Sequence, residues 1–512
     1  MQTDNFTNRL FKNIFLSSNI KWMLGLGVMV FFAGIYNRYI YIDDAYFGEQ
    51  VYYFLTEGVV KTPSLIDFNG GEFKLFVYHK LHIFLGAGIV KLFGWSIEPL
   101  RCCTMIAFIL LAFVLYRHID RYAFGLTKVH AWIGVVFLFI NPLIFLYGYT
   151  FRPEITVTLF GFLSYAFLYR HIEFSEPRYF ALVAGVFAGV TFLFHLNGLA
   201  FMLAGTILLV FKGRYRSSLI FLLAAGSVAL LYFWDLWQPG HLETMLYQIK
   251  NWPDDTTTNY SSDTISGFMM NMFIKLSKEQ QRFFWSYKVW GTSVIFIVTL
   301  LFFFKKIFKA NRSLVIYLFF LIISLNVAGS HVAERYLIYY LPFISILVAN
   351  GIVFADSGLK RFPQIVFMGL FAVQFFFVGN MMQTILKKNR NYPEIHAKVL
   401  KSIPDKSSLI LVPYEFVFNG ISEYNIATYK GIEYYEAKLN KKLSKDQFFE
   451  RAHQLGIKYI ILPEGELEYE NTSIKILDDN RGGIDYSGTK YQLFNQNESA
   501  TILKLTDQYY NK

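Results

Sequence analysis

The sequence predicts a mainly α-helical, polytopic membrane protein with a small α/β domain at its C-terminal end. Hydrophobic residues make up 54% of the 512 residues and charged residues 17%. The apolar share is also 54% when the 35 Gly are counted as apolar instead of the 35 Tyr. The mean hydropathy is +0.36, whereas an average soluble protein is about 45–50% apolar and about 25% charged. Because the chain has only two cysteines, a secreted scaffold held by disulfides is also excluded.

Apolar stretches recur throughout the first 385 residues, and about eleven of them can cross a ~30 Å hydrocarbon layer or lie at its interface. They cover residues 22–37, 99–116, 131–149, 155–169, 179–194, 196–211, 217–234, 289–304, 313–329, 336–354 and 363–382. We therefore expect residues 1–385 to form a transmembrane helical bundle.

The distribution of charge predicts the orientation of this bundle. Lys and Arg are in excess in every second connection, whereas the connections between them are close to neutral. Positive residues stay on the cytoplasmic side, which places the N-terminus inside and the C-terminus outside. The net charge of +11 is thus explained by topology, and no nucleic-acid partner is predicted. The first apolar stretch lacks a small-residue cleavage site, so we interpret it as a retained span.

Two long connections on the predicted outer side interrupt the bundle. The first, 38–97, has apolar residues at helical spacing over 45–56 and 79–93, which predicts helices lying along the membrane surface. The second, 235–288, contains a turn-rich run that begins at Asn251, and we expect this run to be mobile.

The composition becomes mixed and polar after the last apolar stretch, which predicts an extracytoplasmic α/β domain over 386–512. We expect strands at 408–413, 459–463, 491–495 and 501–506 and a helix at 445–454. This region contains no phosphate-binding glycine loop, zinc-ligand spacing or nucleophile elbow. The expected role of the domain is therefore to cover the outer face or to help bind an acceptor.

Charged and polar residues cluster at the predicted outer ends of the spans. Each group has an ordinary structural interpretation as a helix cap, a Pro-started helix, a hydrogen-bonding histidine or a local ion pair. Charges at membrane depth are costly and tend to mark function, and accidental ones would be scattered over both sides. We therefore predict one catalytic layer at the outer face. It contains Asp43, Asp44, Arg152, Glu154, His195, Glu334 and Arg335.

A family resemblance can be drawn from these residues. The segment Ile42-Asp43-Asp44-Ala45-Tyr46-Phe47-Gly48 resembles the Asp-Glu or Asp-Asp signature in the first outer loop of GT-C glycosyltransferases. The branches most similar to it are the protein O-mannosyltransferases and the bacterial aminoarabinose transferases of lipid A. The segment Tyr78-His79-Lys80-Leu81-His82-Ile83-Phe84-Leu85 resembles the second surface helix of that group, although it lacks the two prolines of the His-Lys-Pro-Pro pattern.

Further elements of the family follow in the expected order along the chain. Arg152-Pro153-Glu154 resembles the Arg-Pro-Asp/Glu element, and Arg335-Tyr336-Leu337 with Pro342 resembles the Arg-Tyr-Leu…Pro segment. His195-Leu196-Asn197-Gly198 occupies the place where many relatives have Lys-Gly-Pro. The resemblance implies a GT-C type bundle in a membrane, which we expect to be a bacterial inner membrane.

The resemblance also implies a reaction, the transfer of a sugar from a polyprenyl-phosphate carrier to an acceptor hydroxyl with inversion at the anomeric carbon. An alcohol needs a carboxylate as general base to become a good nucleophile near neutral pH. Asp43 matches the catalytic aspartate of the family and is the first candidate. Asp44 is the second candidate and could instead orient Asp43 or bind the acceptor.

Fixed cations would stabilise the negative charge that grows on the carrier phosphate as the glycosidic bond breaks. The donor phosphate-binding candidates are Lys80, Arg152, Arg335 and His79. The other substrate-binding candidates are Glu154, His195, Glu334 and Tyr336. A metal is not chemically required, although a divalent ion becomes more plausible with a pyrophosphate donor, and two neighbouring aspartates could hold it.

Alternative functions remain open at this point. A transporter or flippase of lipid-linked sugars would have ionisable or helix-breaking residues near the bilayer midplane and two related halves. A non-catalytic scaffold for envelope assembly is a third interpretation. The sequence does not indicate which sugar is moved or whether the acceptor is a glycolipid, a protein or a glycan.

Overall fold

The structure is a computed structural model that describes residues 6–66, 68–122, 128–251, 265–329, 332–357, 361–463, 478–479, 483–484 and 489–506. The turn-rich run that follows Asn251 in the second outer connection lies outside these residues.

The first 388 residues are almost entirely helical. The first half contains α1 (Phe6–Phe11), α2 (Ile20–Ala33), α3 (Ile42–Glu57), α4 (Lys80–Phe93), α5 (Ile97–Tyr122), α6 (Lys128–Phe139), α7 (Pro142–Tyr147), α8 (Glu154–Glu173), α9 (Tyr179–Phe194), α10 (Leu199–Phe211) and α11 (Tyr215–Leu230). The second half contains α12 (His241–Lys250), α13 (Ile265–Ser277), α14 (Glu279–Phe284), α15 (Tyr287–Ala310), α16 (Arg312–Ala328), the 3₁₀ helix Glu334–Tyr340, α17 (Leu341–Ser357) and α18 (Arg361–Lys388).

Several of these helices have the length and composition of membrane spans. Among the described residues, six helices are long and apolar enough to cross a membrane, or seven if the bent pair Thr7–Leu16 and Ile20–Ala33 forms one span. Four shorter apolar helices accompany them, namely Lys128–Phe139, Tyr179–Phe194, Leu196–Phe211 and Arg312–Ala328. The polytopic helical class is confirmed, whereas the span count of eleven and the orientation stay predictions.

Small residues allow close packing between helices of the bundle, as in many membrane proteins. Gly185 and Gly189, four residues apart on α9, face the backbone of α11. A Cβ atom at position 189 would lie 2.6 Å from the Ala225 carbonyl oxygen, so only glycine permits this helix separation. This packing supports the His195 turn that follows α9.

The predicted surface helices of the first outer connection are present as α3 and α4. The Asp44 carboxylate accepts a hydrogen bond from the Tyr41 backbone N–H (3.0 Å) and thereby caps the start of α3. The helix ends at Gly58, whose φ of 72° places it in the left-handed region that favours glycine.

The C-terminal region forms a small α/β unit, and α18 continues through the predicted boundary at 385/386 to Lys388. Its helices are α19 (Tyr392–Lys401), α20 (Val417–Gly420), α21 (Tyr429–Leu439) and α22 (Lys445–Gln454). Its strands are β1 (Leu409–Val412), β2 (Asn425–Thr428), β3 (Tyr459–Pro463), β4 (Asp478–Asp479), β5 (Gly483–Ile484), β6 (Tyr491–Gln496) and β7 (Ala500–Leu505).

The main sheet has the strand order β2-β1-β3-β7-β6. Strand β1 is parallel to both β2 and β3, whereas β7 is antiparallel to β3 and β6. The predicted helix at 445–454 and the four predicted strands are confirmed within one or two residues. Strands β2, β4 and β5 and helices α19–α21 were not predicted.

The C-terminal unit is fastened to the first outer connection through a shared hydrophobic cluster. Glu49 of α3 lies in this interface. Its carboxylate accepts hydrogen bonds from the Ser64 backbone N–H (2.9 Å), the Ser64 hydroxyl (2.6 Å) and the Tyr414 hydroxyl (2.7 Å). Trp95 also donates to the Phe418 carbonyl (3.1 Å). The unit therefore sits on the helix that carries the aspartate pair.

The buried Glu49 makes the stability of this interface depend on pH. Burial raises the pKa of Glu49 to about 7, although the hydrogen bonds from Ser64 and Tyr414 and the charge of Lys61 lower it. Since the pKa is higher in the folded state, the contribution of Glu49 is fully present below about pH 4.5 and is lost as the pH rises through about 7. We expect Glu49→Gln to flatten the fall in unfolding temperature between pH 5 and pH 8, measured on the purified protein in detergent. An unchanged pH profile in the variant would contradict this assignment.

Candidate functional site

The two adjacent aspartates at the start of α3 have different environments. Asp44 is fully buried, and its carboxylate accepts hydrogen bonds from the Arg101 guanidinium (2.6 Å) and from the Phe151 backbone N–H (2.6 Å). Arg101 also donates to the Tyr39 carbonyl (2.7 Å). Both oxygens of Asp44 are therefore used to hold the start of α3. Of the two aspartates that the sequence offered as a general base, Asp43 is the one whose carboxylate is not committed in this way.

Asp43 points towards the accessible side of the same turn. Its side chain is 28% exposed and forms an ion pair with Arg152. Arg152 is buried and is held on its other side by Glu154, with Nε and Nη2 lying 3.1 and 2.6 Å from the two carboxylate oxygens. These two hydrogen bonds fix the orientation of the guanidinium plane. The structure thus brings Asp43, Arg152 and Glu154 together, as the sequence predicted for one outer layer.

Arg335 joins this group from the 3₁₀ helix Glu334–Tyr340. Its Nε atom lies 3.5 Å from Glu154, and its side chain is 31% exposed. Its guanidinium carbon lies 5.2 Å from the centre of the Tyr336 ring. Arg335 therefore adds a second cation at the rim of the group.

Glu334 points to a different partner from its neighbour. Its carboxylate accepts a hydrogen bond from Ser286 and lies 3.4 Å from the Lys288 ammonium at the start of α15. These contacts link the 3₁₀ helix to the start of α15.

The two predicted histidines lie against each other. The rings of His79 and His195 stack at 4.3 Å, and the His195 ring lies 5.8 Å from that of Tyr336. Burial, opposed by the Glu154 charge and aided by the Arg152 and Arg335 charges, lowers the pKa of His79 to about 4. This shift favours the neutral ring near pH 7, and a role of His79 at the donor phosphate stays a prediction. The neutral ring can serve as a hydrogen-bonding group.

Lys80 belongs to a separate group. Its buried ammonium forms an ion pair with Asp235 and lies 4.8 Å from the centre of the Tyr232 ring. Burial lowers the pKa of Lys80, and Asp235 opposes this shift. Lys80 also lines an apolar cavity of about 280 Å³. The other lining residues are Leu81, Phe84, Leu193, Leu231 and Trp234. Lys80 is thus paired with Asp235 rather than with Asp43.

The sequence analysis missed a further cation next to the 3₁₀ helix. Arg282 of α14 is buried, pairs with Glu279 (3.1 Å) and lies 5.7 Å from the centre of the Tyr336 ring. Its Nη1 atom is buried without a hydrogen-bond partner in the part of the chain that the structure describes. In the sequence, Arg282 stands in a polar segment that is typical of a solvated helix, so no local signal marked it. Arg101 lies inside the apolar stretch 99–116 and Asp235 directly follows the stretch 217–234, and neither was singled out in the sequence.

No group of three or more His, Cys, Asp or Glu side chains within the described ranges is arranged to hold a metal ion.

Comparisons with known proteins describe the fold that carries this site. A model of the family dolichyl-phosphate-mannose-protein mannosyltransferase matches residues 81–237. The structure of ArnT from Cupriavidus metallidurans bound to undecaprenyl phosphate aligns with a TM-score of 0.58 at 11% identity, covering 94% of this chain and 97% of that one. The chain has the fold of the GT-C glycosyltransferases. The resemblance drawn from its motifs is confirmed.

A second solved structure has a longer chain. The archaeal oligosaccharyltransferase AglB from Archaeoglobus fulgidus, in complex with an inhibitory peptide and a dolichol-phosphate, aligns with a TM-score of 0.53 at 11% identity. This alignment covers 86% of the present chain and 69% of AglB. No curated protein sequence matches significantly. At these identities the structural likeness describes the fold, and the residues that act must be argued from the site itself.

The different environments of the two aspartates predict different effects on stability. We expect Asp44→Asn to lower the free energy of unfolding by about 3–5 kcal/mol, because it leaves the buried Arg101 charge without its counter-ion. Asp43→Asn is the matched control, and its cost should be smaller because Asp43 is partly exposed. Thermal unfolding of both variants in detergent measures the difference. Equal losses would show that Asp44 does not anchor the fold.

Proposed function

We propose that this chain transfers a sugar from a polyprenyl-phosphate carrier to an acceptor hydroxyl, with inversion at the anomeric carbon. The observation that carries the proposal is the partly exposed Asp43 carboxylate next to Arg152, which Glu154 holds in a fixed orientation. A base and a fixed cation at one rim are what an alcohol nucleophile and a phosphate leaving group require.

Asp43 acts as the general base in this proposal. Its oxygen would accept the proton of the acceptor hydroxyl as that oxygen attacks the anomeric carbon, and the bond from that carbon to the carrier phosphate would break. Arg152 keeps the carboxylate in one position, which lowers the entropic cost of reaching the reactive geometry. Asp44 is assigned a positioning role, because its oxygens are committed to Arg101 and Phe151.

The carrier phosphate would be stabilised by cations around Asp43. Arg152 and Arg335 both lie at Glu154, and Arg282 approaches the same 3₁₀ helix through Tyr336. The planar guanidinium of arginine suits phosphate oxygens. Because side chains can neutralise the charge of a monophosphate, we propose that no metal is required.

The isoprenoid chain of the carrier would occupy the apolar cavity next to Lys80. The cavity is lined almost wholly by apolar side chains, and Lys80 is the single charged group in its lining. The carrier phosphate would lie between the arginines at Glu154 and Lys80, which would exchange Asp235 for the phosphate. The lipid phosphates bound by ArnT and AglB support a donor of this class. His195 and Tyr336 would then line the path between this cavity and Asp43.

We place the reaction at the outer face of a bacterial inner membrane, with the N-terminus in the cytoplasm and the C-terminal unit outside. The alternation of basic and neutral connections supports this orientation. A transporter of lipid-linked sugars is less well supported, since the charged groups gather at one end of the helices and not near a midplane.

The first test addresses the base. We expect Asp43→Asn to lower the release of sugar from a labelled short-chain polyprenyl-phosphate donor by about 10²–10⁴-fold, since general base catalysis typically contributes that much. Unfolding temperature and elution from size exclusion should stay close to those of the parent. Turnover at the parental rate by a folded Asp43→Asn protein would remove Asp43 from this role.

The second test addresses the donor phosphate. We expect Lys80→Met to raise the KM for the donor by about 10-fold or more, because it removes a charge-assisted contact to phosphate. Asp235→Asn is the matched control on the other half of the ion pair, and it should leave the donor KM unchanged or lower it. Equal increases in both variants would mean that the pair is purely structural.

A further inference from the structure

The carboxyl ends of two parallel strands in the C-terminal unit face the start of α3. Strands β1 and β2 end side by side, with Val412 paired to Thr428. In open sheets with parallel strands, ligands bind in the crevice beyond the carboxyl ends of the strands. Here the crevice lies next to Ile42, the residue that precedes Asp43.

A small cavity occupies this crevice. Its volume is about 20 Å³, enough for one water molecule or one hydroxyl group. It is lined by Ile42, Pro413, Tyr414, Glu415, Tyr429, Lys430 and Glu433. The three charged side chains among these are half-buried.

The position of the crevice relative to α3 is fixed by several contacts. Thr428 donates to the Ser64 carbonyl through its backbone N–H (2.9 Å) and through its hydroxyl (3.0 Å). A Cβ atom on Gly431 would lie 2.9 Å from the Ile66 nitrogen, so the backbones approach closely there. Tyr414 is bound to Glu49 of α3. A ligand in the crevice would therefore be held at a constant distance from Asp43.

The side chains around the crevice fit a ligand that is rich in hydroxyl groups. The Lys430 ammonium lies 2.7 Å from Glu433 and 5.2 Å from the centre of the Tyr434 ring. A hydroxyl can donate to a carboxylate and accept from an ammonium at the same time. Two carboxylates, those of Glu415 and Glu433, would repel a phosphate, and three charged groups would repel an acyl chain.

We propose that this crevice, defined by Glu415, Lys430 and Glu433, is an acceptor subsite that binds a sugar ring of a glycan acceptor. One hydroxyl of the ring enters the cavity, and the ring directs another hydroxyl towards Asp43. This inference rests on the proposed function for its link to Asp43. A peptide acceptor is disfavoured. A peptide that bound as an added strand would pair with β2, but the Thr428 N–H at the end of β2 already donates to the Ser64 carbonyl.

The test measures equilibrium binding, so that it does not depend on turnover. The probes are methyl α-mannoside and methyl β-glucoside, offered to the purified full chain and followed by saturation-transfer NMR. We expect binding of at least one glycoside and about a 10-fold higher Kd for Glu433→Gln, because a charge-assisted hydrogen bond is lost. Glu423→Gln, on an exposed residue that pairs with Lys406, is the matched control and should bind like the parent.

Several results would overturn the inference. They are the absence of glycoside binding, an equal Kd in the parent and in Glu433→Gln, and preferential binding of a Ser/Thr-containing peptide at the same site. Donor turnover is assayed separately. If Glu433→Gln loses glycoside binding but the parent does not turn over the donor, only the proposed function is contradicted. If the parent turns over the donor but binds no glycoside, only this inference is contradicted.

Discussion

The buried carboxylate of Asp44 is the contact on which the geometry of the outer face depends. It joins three parts of the chain that are far apart in sequence, namely the start of α3, Arg101 on α5 and the backbone at Phe151. A buried ion pair is stable only when its remaining hydrogen-bonding capacity is also satisfied, and here backbone N–H groups supply those bonds. Because Phe151 immediately precedes Arg152, this contact also sets the position of the cation that faces Asp43.

Helical geometry explains why two neighbouring aspartates do different work. Successive residues in a helix are rotated by about 100°, so one side chain of an adjacent pair turns inward when the other faces outward. Asp44 turns into the protein and Asp43 towards the accessible side. An Asp-Asp pair at the first turn also interacts favourably with the helix dipole. The pair therefore combines a buried anchor and a partly exposed carboxylate within one turn.

Part of this arrangement could be predicted from the sequence. Helices and strands leave local patterns of apolar residues, and the charged groups were expected on one side of the membrane. Helices α3 and α4 have helical apolar spacing, and strands such as β3 are short apolar runs between turn residues. The grouping of Asp43, Arg152 and Glu154 was predicted only because all three were expected at the same end of the spans. Strand β2 was missed because its residues, Asn-Ile-Ala-Thr, lack the continuous apolar run of the equally short β1, Leu-Ile-Leu-Val.

The contacts that were missed are those between residues distant in sequence. Lys80 and Asp235 are 155 positions apart, and no local pattern in either segment shows that they pair. The burial of Arg282 depends on how α14 packs against the 3₁₀ helix, which a single sequence does not encode locally. The sequence thus predicted that Asp43, Arg152 and Glu154 lie together, whereas the partner of each charge is decided by tertiary packing.

The two buried charges next to Asp43 have buried counter-ions. Asp44 pairs with Arg101 and Arg152 pairs with Glu154, because an isolated charge in a medium of low dielectric is strongly disfavoured. Asp43 and Arg335 differ, since each keeps over a quarter of its side chain exposed beside a buried partner. A ligand that brings a hydroxyl and an anion to this rim meets these two groups first. The buried pairs hold the exposed groups in place without competing for the ligand, and this division explains how a low-dielectric site can remain both stable and reactive.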